Sequence, residues 1–408
     1  MKRTLITNIG MLATPQGTAA RGGRAQGEIC ILKNAWIFIE NDVIAQVGTG
    51  TAPAAVGVQI INAGGKLVTP GLVDAHTHLI FGGWRQNELA LKLHGAGYLD
   101  ILAAGGGILS TMRATQSASE EQLEAKASAA LDEMLRFGTT TAEAKSGYGL
   151  STGEECKALR VIGKLQKHHV MDLAATFMGA HAVPEAYRDN RQGYLELLCE
   201  EMLPAVREQG IAEFCDVFCE KGVFSAEESR RILLTGRQYG LRPKIHADEI
   251  EAIGGSELAG EIGAVSAEHL IVCPPSGIAS MARGGAVACC LPATSFYLGA
   301  AYAPVQDMVQ AGVPVAMATD FNPGSCPCLN MQLVISLGCL RYRLTPEQAL
   351  TAVTLNGAAA ICRADRIGSI EPGKQADILI WNAEDLDYIC YRLGSNLVDT
   401  VIKKGNVV

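Results

Sequence analysis

From about residue 67 to residue 320 the chain alternates short apolar runs with longer stretches of helical period. The runs cover 67–78, 139–145, 173–181, 212–219, 243–246, 264–269, 286–291 and 313–320, each short enough for a buried strand. Between them, 119–137, 153–168, 194–209 and 225–239 carry the 3.6-residue repeat of amphipathic helices. Two of these open on capping boxes, Ser119-Glu120-Glu121-Gln122 and Ser225-Ala226-Glu227-Glu228, in which the serine hydroxyl and the residue three places on satisfy each other's backbone amides. Strands separated by helices form parallel sheets, because the crossover returns the chain to the same edge. The pattern therefore predicts an α/β fold, a (β/α)8 TIM-like barrel closed on itself.

The two ends have a different texture. Leu5 to Asn8, Ala35 to Ile39 and Val43 to Val47 are short extended segments broken by Gly, Asn and Asp turn chemistry, and Ala376 to Trp381 and Val398 to Ile402 repeat it. Residues 1–66 and 365–408 are expected to build one small β-sandwich from both termini, flanking a barrel over 67–364. Gly64-Gly65 and the stretch 357–363 mark the expected joints.

With 408 residues, 48% of them hydrophobic and 19% charged, the chain has ample material for a packed core. A net charge of -8 leaves no basic stripe to neutralise phosphates, which argues against nucleic acid as a partner. Lys2 and Arg3 precede no apolar leader segment, and no apolar run reaches the roughly 18 residues of a membrane helix, so a cytoplasmic protein without a membrane partner is expected. The 13 Cys are scattered and odd in number, which fits reduced thiols better than a disulfide framework. Cys289-Cys290 and Cys326-Pro327-Cys328 lack the two-residue spacer and second pair of a zinc site. Gly105-Gly106-Gly107 lacks the Lys-Ser/Thr of a phosphate loop.

The candidate chemistry lies at strand ends. In Asp74-Ala75-His76-Thr77-His78 the histidines are two residues apart, so on a strand both imidazoles face one side. His246 closes the fifth predicted strand, His269 the sixth and Asp320 the eighth. In a (β/α)8 barrel the C-terminal ends of the strands form one rim, where residues distant in sequence meet. Three imidazoles and a carboxylate suit one divalent metal, zinc or iron.

His-x-His on strand one, His on strands five and six and Asp on strand eight resemble the amidohydrolase superfamily. The likeness extends to the ends, since Ile367-Gly368-Ser369-Ile370-Glu371-Pro372-Gly373-Lys374-Gln375-Ala376-Asp377-Ile378 is similar to the family's return into its sandwich. Many members bridge two metals with a carbamylated lysine on strand four. Here that strand ends Val217-Phe218-Cys219-Glu220, Lys145 belongs to strand two and Lys221 lies beyond the strand end. The resemblance thus implies a single metal on His76, His78, His246 and Asp320, with Asp320, His269 and Glu249 as the catalytic groups. Phe81-Gly82-Gly83-Trp84-Arg85, Gly105 to Thr111, Lys145 to Leu150, His246-Ala247-Asp248-Glu249 and Asp320 to Ser325 are similar to one branch that opens a small carboxylate-bearing ring at a C–N bond.

Such a substrate matches the residues. Arg85 can offer a bidentate fork to a carboxylate. Tyr148 and His181 can reach the same cleft, Glu249 can accept a ring N–H, and Asn322, Gly324 and Ser325 form a turn beyond Asp320. Each also has a plain structural use, as surface charge, backbone cap, helix N-terminal carboxylate or turn former. His94, His168 and His169 fall away from the rim. The implied reaction is hydrolysis by metal-activated water with Asp320 taking its proton, without organic cofactor, in a homodimer by family likeness. A heterocycle deaminase of guanine or cytosine type is the competing enzyme reading, because such enzymes also place Glu three residues after the strand-five His. A catalytically dead barrel serving as a scaffold is the third.

Overall fold

A computed structural model of the chain describes residues 2–53, 57–95 and 106–408. The first strands are β1 (Arg3–Thr14), β2 (Cys30–Glu40), β3 (Val43–Thr49), β4 (Gln59–Asn62) and β5 (Leu67–Pro70). The next series is β6 (Leu72–Asp74), β7 (Thr139–Lys145), β8 (Asp172–Ala180), β9 (Phe214–Cys219), β10 (Arg242–Ala247), β11 (Ser266–His269), β12 (Val287–Cys290) and β13 (Val315–Met317). The chain closes with β14 (Ile378–Trp381), β15 (Val398–Lys403) and β16 (Asn406–Val407).

β6 to β13 form an 8-stranded sheet in sequence order, with every neighbouring pair parallel. Just beyond β6 and β13 the two edges meet: His78 N donates to Phe321 O at 2.9 Å and Asp320 N to His76 O at 3.0 Å, which brings the sheet round into a barrel. Inside it, Asp74 at the end of β6 accepts from Thr319 N at 3.0 Å and Thr319 Oγ1 at 2.6 Å, a second tie across the seam. Helices cover the outside. Both capping boxes are present, Ser119 with Gln122 and Ser225 with Glu228, and they fix where helices Glu120–Arg136 and Ala226–Gln238 begin.

The single strand expected over 67–78 is in fact two. β5 pairs with β1 and β14 in the terminal sheet, whereas β6 pairs with β7 in the barrel. The change of sheet falls at Gly71, whose N donates to Asp377 O at 2.9 Å; a Cβ there would lie 2.3 Å from Thr140 Oγ1, so only glycine lets the chain pass so close to β7. Gly357, expected in a joint, lies instead inside helix Leu355–Ala360, close against Val73.

Both chain ends build the second unit, an 8-stranded sheet of order β16-β15-β14-β5-β1-β2-β3 with β4 also on β1. It is one connected sheet with its own apolar core, which includes Ile6, Leu12, Ile37, Ile39, Val68, Ile378, Ile380 and Ile402. Alternate residues such as Ile37 and Ile39 point inward, as the period of two requires. All 13 cysteines are free thiols. No helix among the described residues is long and apolar enough to cross a membrane.

Candidate metal centre and active-site cleft

The strand ends bring His76, His78, His246, His269 and Asp320 into one buried cluster. His246 Nε2 stands 3.3 Å from His78 Nε2, and Asp320 Oδ1 lies 3.4 Å from His76 Nε2 and 3.5 Å from His78 Nε2. Ligand bonds of about 2.0–2.2 Å in a tetrahedral site put neighbouring donor atoms about 3.3–3.6 Å apart, so these three spacings suit a metal ion, and the donors fall into two overlapping groups, His76 with His78 and Asp320, and His76 with His246 and His269. The histidine donors also need one. His76 Nε2 is buried with no hydrogen-bond partner among the described residues, an arrangement that costs a few kcal/mol unless something occupies the lone pair. Burial, followed by the neighbouring cations, holds His76 and His78 well below the usual imidazole range, which keeps them in the neutral form that ligates. His269 is also within reach, since its ring groups with His76 and His246.

Backbone geometry aims these groups. His269 and Asp320 both have positive φ, 68° and 58°, a conformation that costs non-glycine residues roughly 1–3 kcal/mol and gathers at functional sites. Asp320 Oδ2 accepts from Thr294 Oγ1 at 2.7 Å, which leaves Oδ1 facing the histidines. Burial raises the Asp320 carboxyl above its ordinary range, against the opposing pull of His269 and Thr294. Burial also lowers His269 to about 4. Glu249, whose Oε2 lies 3.5 Å from His269 Nε2, is pushed up to about 7 by burial.

Around the cluster stand the remaining residues singled out in the sequence. His181 stacks on His78 with ring centroids 4.8 Å apart and Nδ1 3.0 Å from Gly147 O. The Tyr148 ring lies 5.9 Å from that of His78, and burial, with Asp320 adding to it, drives its phenol well above the ordinary range. Arg85 makes a fork to Glu88, Nε to Oε1 at 2.8 Å and Nη2 to Oε2 at 2.9 Å. Its Nη1 rests over Gly324, where a Cβ would come within 2.1 Å, so the turn after Asp320 and the loop after β6 touch through this pair. Asn322 is spent on that turn: Oδ1 accepts from Gly324 N at 2.8 Å and Ser325 N at 2.7 Å, and Nδ2 donates to Asp320 O at 2.7 Å and Ser325 Oγ at 2.8 Å. His94, His168 and His169 lie outside the cluster. Gly105 of the glycine run lies outside the described residues; Gly107 N donates to Glu88 Oε1 at 2.7 Å, tying the run to the Arg85 loop.

Two groups of residues escaped the sequence reading. Glu155 is fully buried and accepts from Gly147 N, Gly149 N and Leu150 N at 3.0, 2.8 and 2.8 Å, so it shapes the loop that presents Tyr148. Beneath the histidines, Glu143, Lys145, Asp216, Lys244 and Glu268 are all buried inside the barrel. Lys145 Nζ is 2.7 Å from both Glu143 Oε2 and Asp216 Oδ2, and Lys244 Nζ is 3.1 Å from Glu143 Oε1 and 3.4 Å from Glu268 Oε1. Burial opposes charge on Lys145, but Asp216 and Glu143 outweigh it and raise the ammonium above its ordinary range. Glu143 and Lys145, like Lys244 and His246, are two apart on their strands, and that i, i+2 spacing was the available signal.

Comparison with known proteins bears on this geometry. Residues 67–408 match the amidohydrolase family model, and the chain belongs to that family. Zinc-bound atrazine chlorohydrolase from Arthrobacter aurescens has the same fold at a TM-score of 0.73 and 18% identity, covering 99% of this chain and 94% of that one. Guanine deaminase from C. acetobutylicum superposes at a TM-score of 0.71 and 16% identity over the full length of both. In sequence the chain is 50% identical to the imidazolonepropionase of Alkaliphilus metalliredigens over 414 aligned residues, 100% of this chain and 98% of that protein. It is 49% identical to the imidazolonepropionase of Bacillus cereus strain G9842 over 412, covering 100% and 97%. The chain is therefore an amidohydrolase enzyme of the imidazolonepropionase type.

Proposed function

We propose that the protein hydrolyses the ring C–N amide bond of 4-imidazolone-5-propanoate to N-formimidoyl-L-glutamate, a step of histidine degradation. The observation that carries this reading is the buried donor cluster in which His246 Nε2 lies 3.3 Å from His78 Nε2 and Asp320 Oδ1 lies 3.4 and 3.5 Å from His76 Nε2 and His78 Nε2, with Arg85 on the neighbouring loop. Those four residues hold one divalent metal, zinc or iron by ligand type. When bound, such an ion supplies Lewis acidity that lowers the pKa of water from 15.7 towards about 7.

The residues of the chain do the rest. Arg85 has its Nε–Nη2 edge on Glu88, so the Nη1–Nη2 edge over Gly324 receives the propionate, with Ser325 and the turn built by Asn322 beside it. Glu249 accepts a ring N–H, and Tyr148 and His181 close the other side of the cleft. Asp320, its carboxylate oriented by the Thr294 hydroxyl on Oδ2, takes the proton of the attacking water and returns it to the leaving ring nitrogen. His269, neutral because burial depresses it, donates to the developing oxyanion. The protein is further proposed to work in the cytoplasm as a homodimer.

The direct test supplies metal-replete protein with freshly generated 4-imidazolone-5-propanoate and follows loss of its ultraviolet absorbance. Formation of formimidoyl-glutamate without ammonia, abolished in His76→Ala, is the expected result. No turnover of this compound, with ammonia released from a guanine-type or cytosine-type heterocycle, would replace the reading by a deaminase.

A further inference from the structure

The buried charges under the histidines form a continuous chain rather than a scatter. Beginning at His246, Nδ1 is 3.1 Å from Asp216 Oδ1, Asp216 Oδ2 is 2.7 Å from Lys145 Nζ, and Lys145 Nζ is 2.7 Å from Glu143 Oε2. From there Glu143 Oε1 is 3.1 Å from Lys244 Nζ, Lys244 Nζ is 3.4 Å from Glu268 Oε1, and Glu268 Oε2 is 2.9 Å from His76 Nδ1. The chain crosses the barrel through β7, β9, β10 and β11, and every one of its carboxylates and ammonium groups is fully buried. Asp216 and Glu268 occupy comparable places in it: each joins a lysine to an imidazole, Glu268 with one oxygen to each and Asp216 with both oxygens 3.1 Å from His246 Nδ1.

A burial this costly calls for a use. Two charges alone in a protein interior lose several kcal/mol of solvation each, and a well-packed apolar floor is often at least as stable. A carboxylate accepts a proton and cannot donate one, so it can face only the protonated ring nitrogen of a neutral histidine. We propose that Asp216 and Glu268 are positioning residues that lock His246 and His76 in the Nδ1–H tautomer, so that both present an unprotonated Nε2 to the metal. Lys145 and Lys244, joined through Glu143, fix the orientation of those two carboxylates. Three carboxylates against two ammonium groups also leave one net negative charge beneath the site, which favours a cation above it. His78 has no such support among the described residues, where its Nδ1 is buried without a partner and its ring stacks on His181.

The inference rests on the proposed metal centre, and its test separates the two. With only 8 His in the chain, selective 15N-histidine labelling resolves the ring nitrogens by NMR in both zinc-loaded and metal-stripped protein. His76 and His246 are expected to carry the proton on Nδ1 in both forms; a neutral ring of either protonated on Nε2 and not on Nδ1 in the stripped protein overturns the proposal, and this reading needs no variant to fold. Zinc affinity by chelator competition should fall 10–100-fold in Asp216→Asn and in Glu268→Gln, the range typical of lost support behind a metal ligand. Thr176→Val, which removes the hydroxyl that donates to Glu143 and touches neither imidazole, should stay within about threefold. Unchanged affinity in the two carboxylate variants, or an equal loss in Thr176→Val, would contradict it. Failure of the wild type to bind zinc would count against the metal centre, while the ring-nitrogen signature would still decide the tautomers.

Discussion

The floor and the rim of the cleft meet at the same imidazoles but are built differently. Below, Glu143, Lys145, Asp216, Lys244 and Glu268 project from strands, are buried, and each has at least two charged or imidazole partners. Above, Arg85, Glu249 and Ser325 lie on loops and are partly exposed. Side chains on paired strands cannot shift without breaking the ladder, so the floor sets geometry. Loops can shift at small cost, so the rim sets which molecule is accepted.

The division can be broken at several points. At the centre, Asp320→Asn should reduce turnover by about a thousandfold, the scale of a lost general acid–base group, with circular dichroism unchanged. In the floor, Glu143→Gln leaves Lys145 and Lys244 each short of a partner in the interior. A stability loss of about 3–5 kcal/mol is expected from denaturant unfolding, far above the roughly 0.5 kcal/mol of a typical surface substitution. On the rim, Arg85→Ala should raise KM by about 10–100-fold, since a charge-assisted hydrogen bond is worth about 1.5–3 kcal/mol, with metal content kept. An unchanged KM would remove the carboxylate-bearing substrate from the account.

The smallest effect belongs outside the cleft, at the contact between barrel and terminal sheet. Burial would raise the Asp172 carboxyl, but Lys403, Lys404 and Gln375 together bring it down from 3.8 to about 2. A depressed carboxyl contributes stability that is present above its unfolded value and lost as pH falls through the folded one. Asp172→Asn should therefore cost roughly 1–2 kcal/mol near neutral pH, reduced for partial exposure, and the gap to wild type should close between about pH 4 and pH 2.

Sequence reasoning reached the rim more readily than the floor. Strand and helix periods gave the barrel, and the place of His76, His78, His246, His269 and Asp320 at strand ends gave the cluster, because both signals are local. Glu143 and Lys145 sit in Thr139-Thr140-Thr141-Ala142-Glu143-Ala144-Lys145, which reads equally well as a solvated strand; only the closed barrel shows that this face is interior. Asp216 and Glu268 are invisible in the same way, since their partners are dozens of residues distant. Glu155 reads as a first-turn helix carboxylate until the loop folds back onto it. The split of β5 from β6 was missed because one apolar run serves two sheets, and Gly71 alone marks the crossing.

In the proposed reaction a single metal on His76, His78, His246 and Asp320 supports hydrolysis of 4-imidazolone-5-propanoate. The most direct measurement strips the protein, restores zinc or iron in steps and records turnover against metal bound per chain. A linear rise that saturates at one equivalent is predicted; saturation at two, or turnover indifferent to metal, would contradict the account.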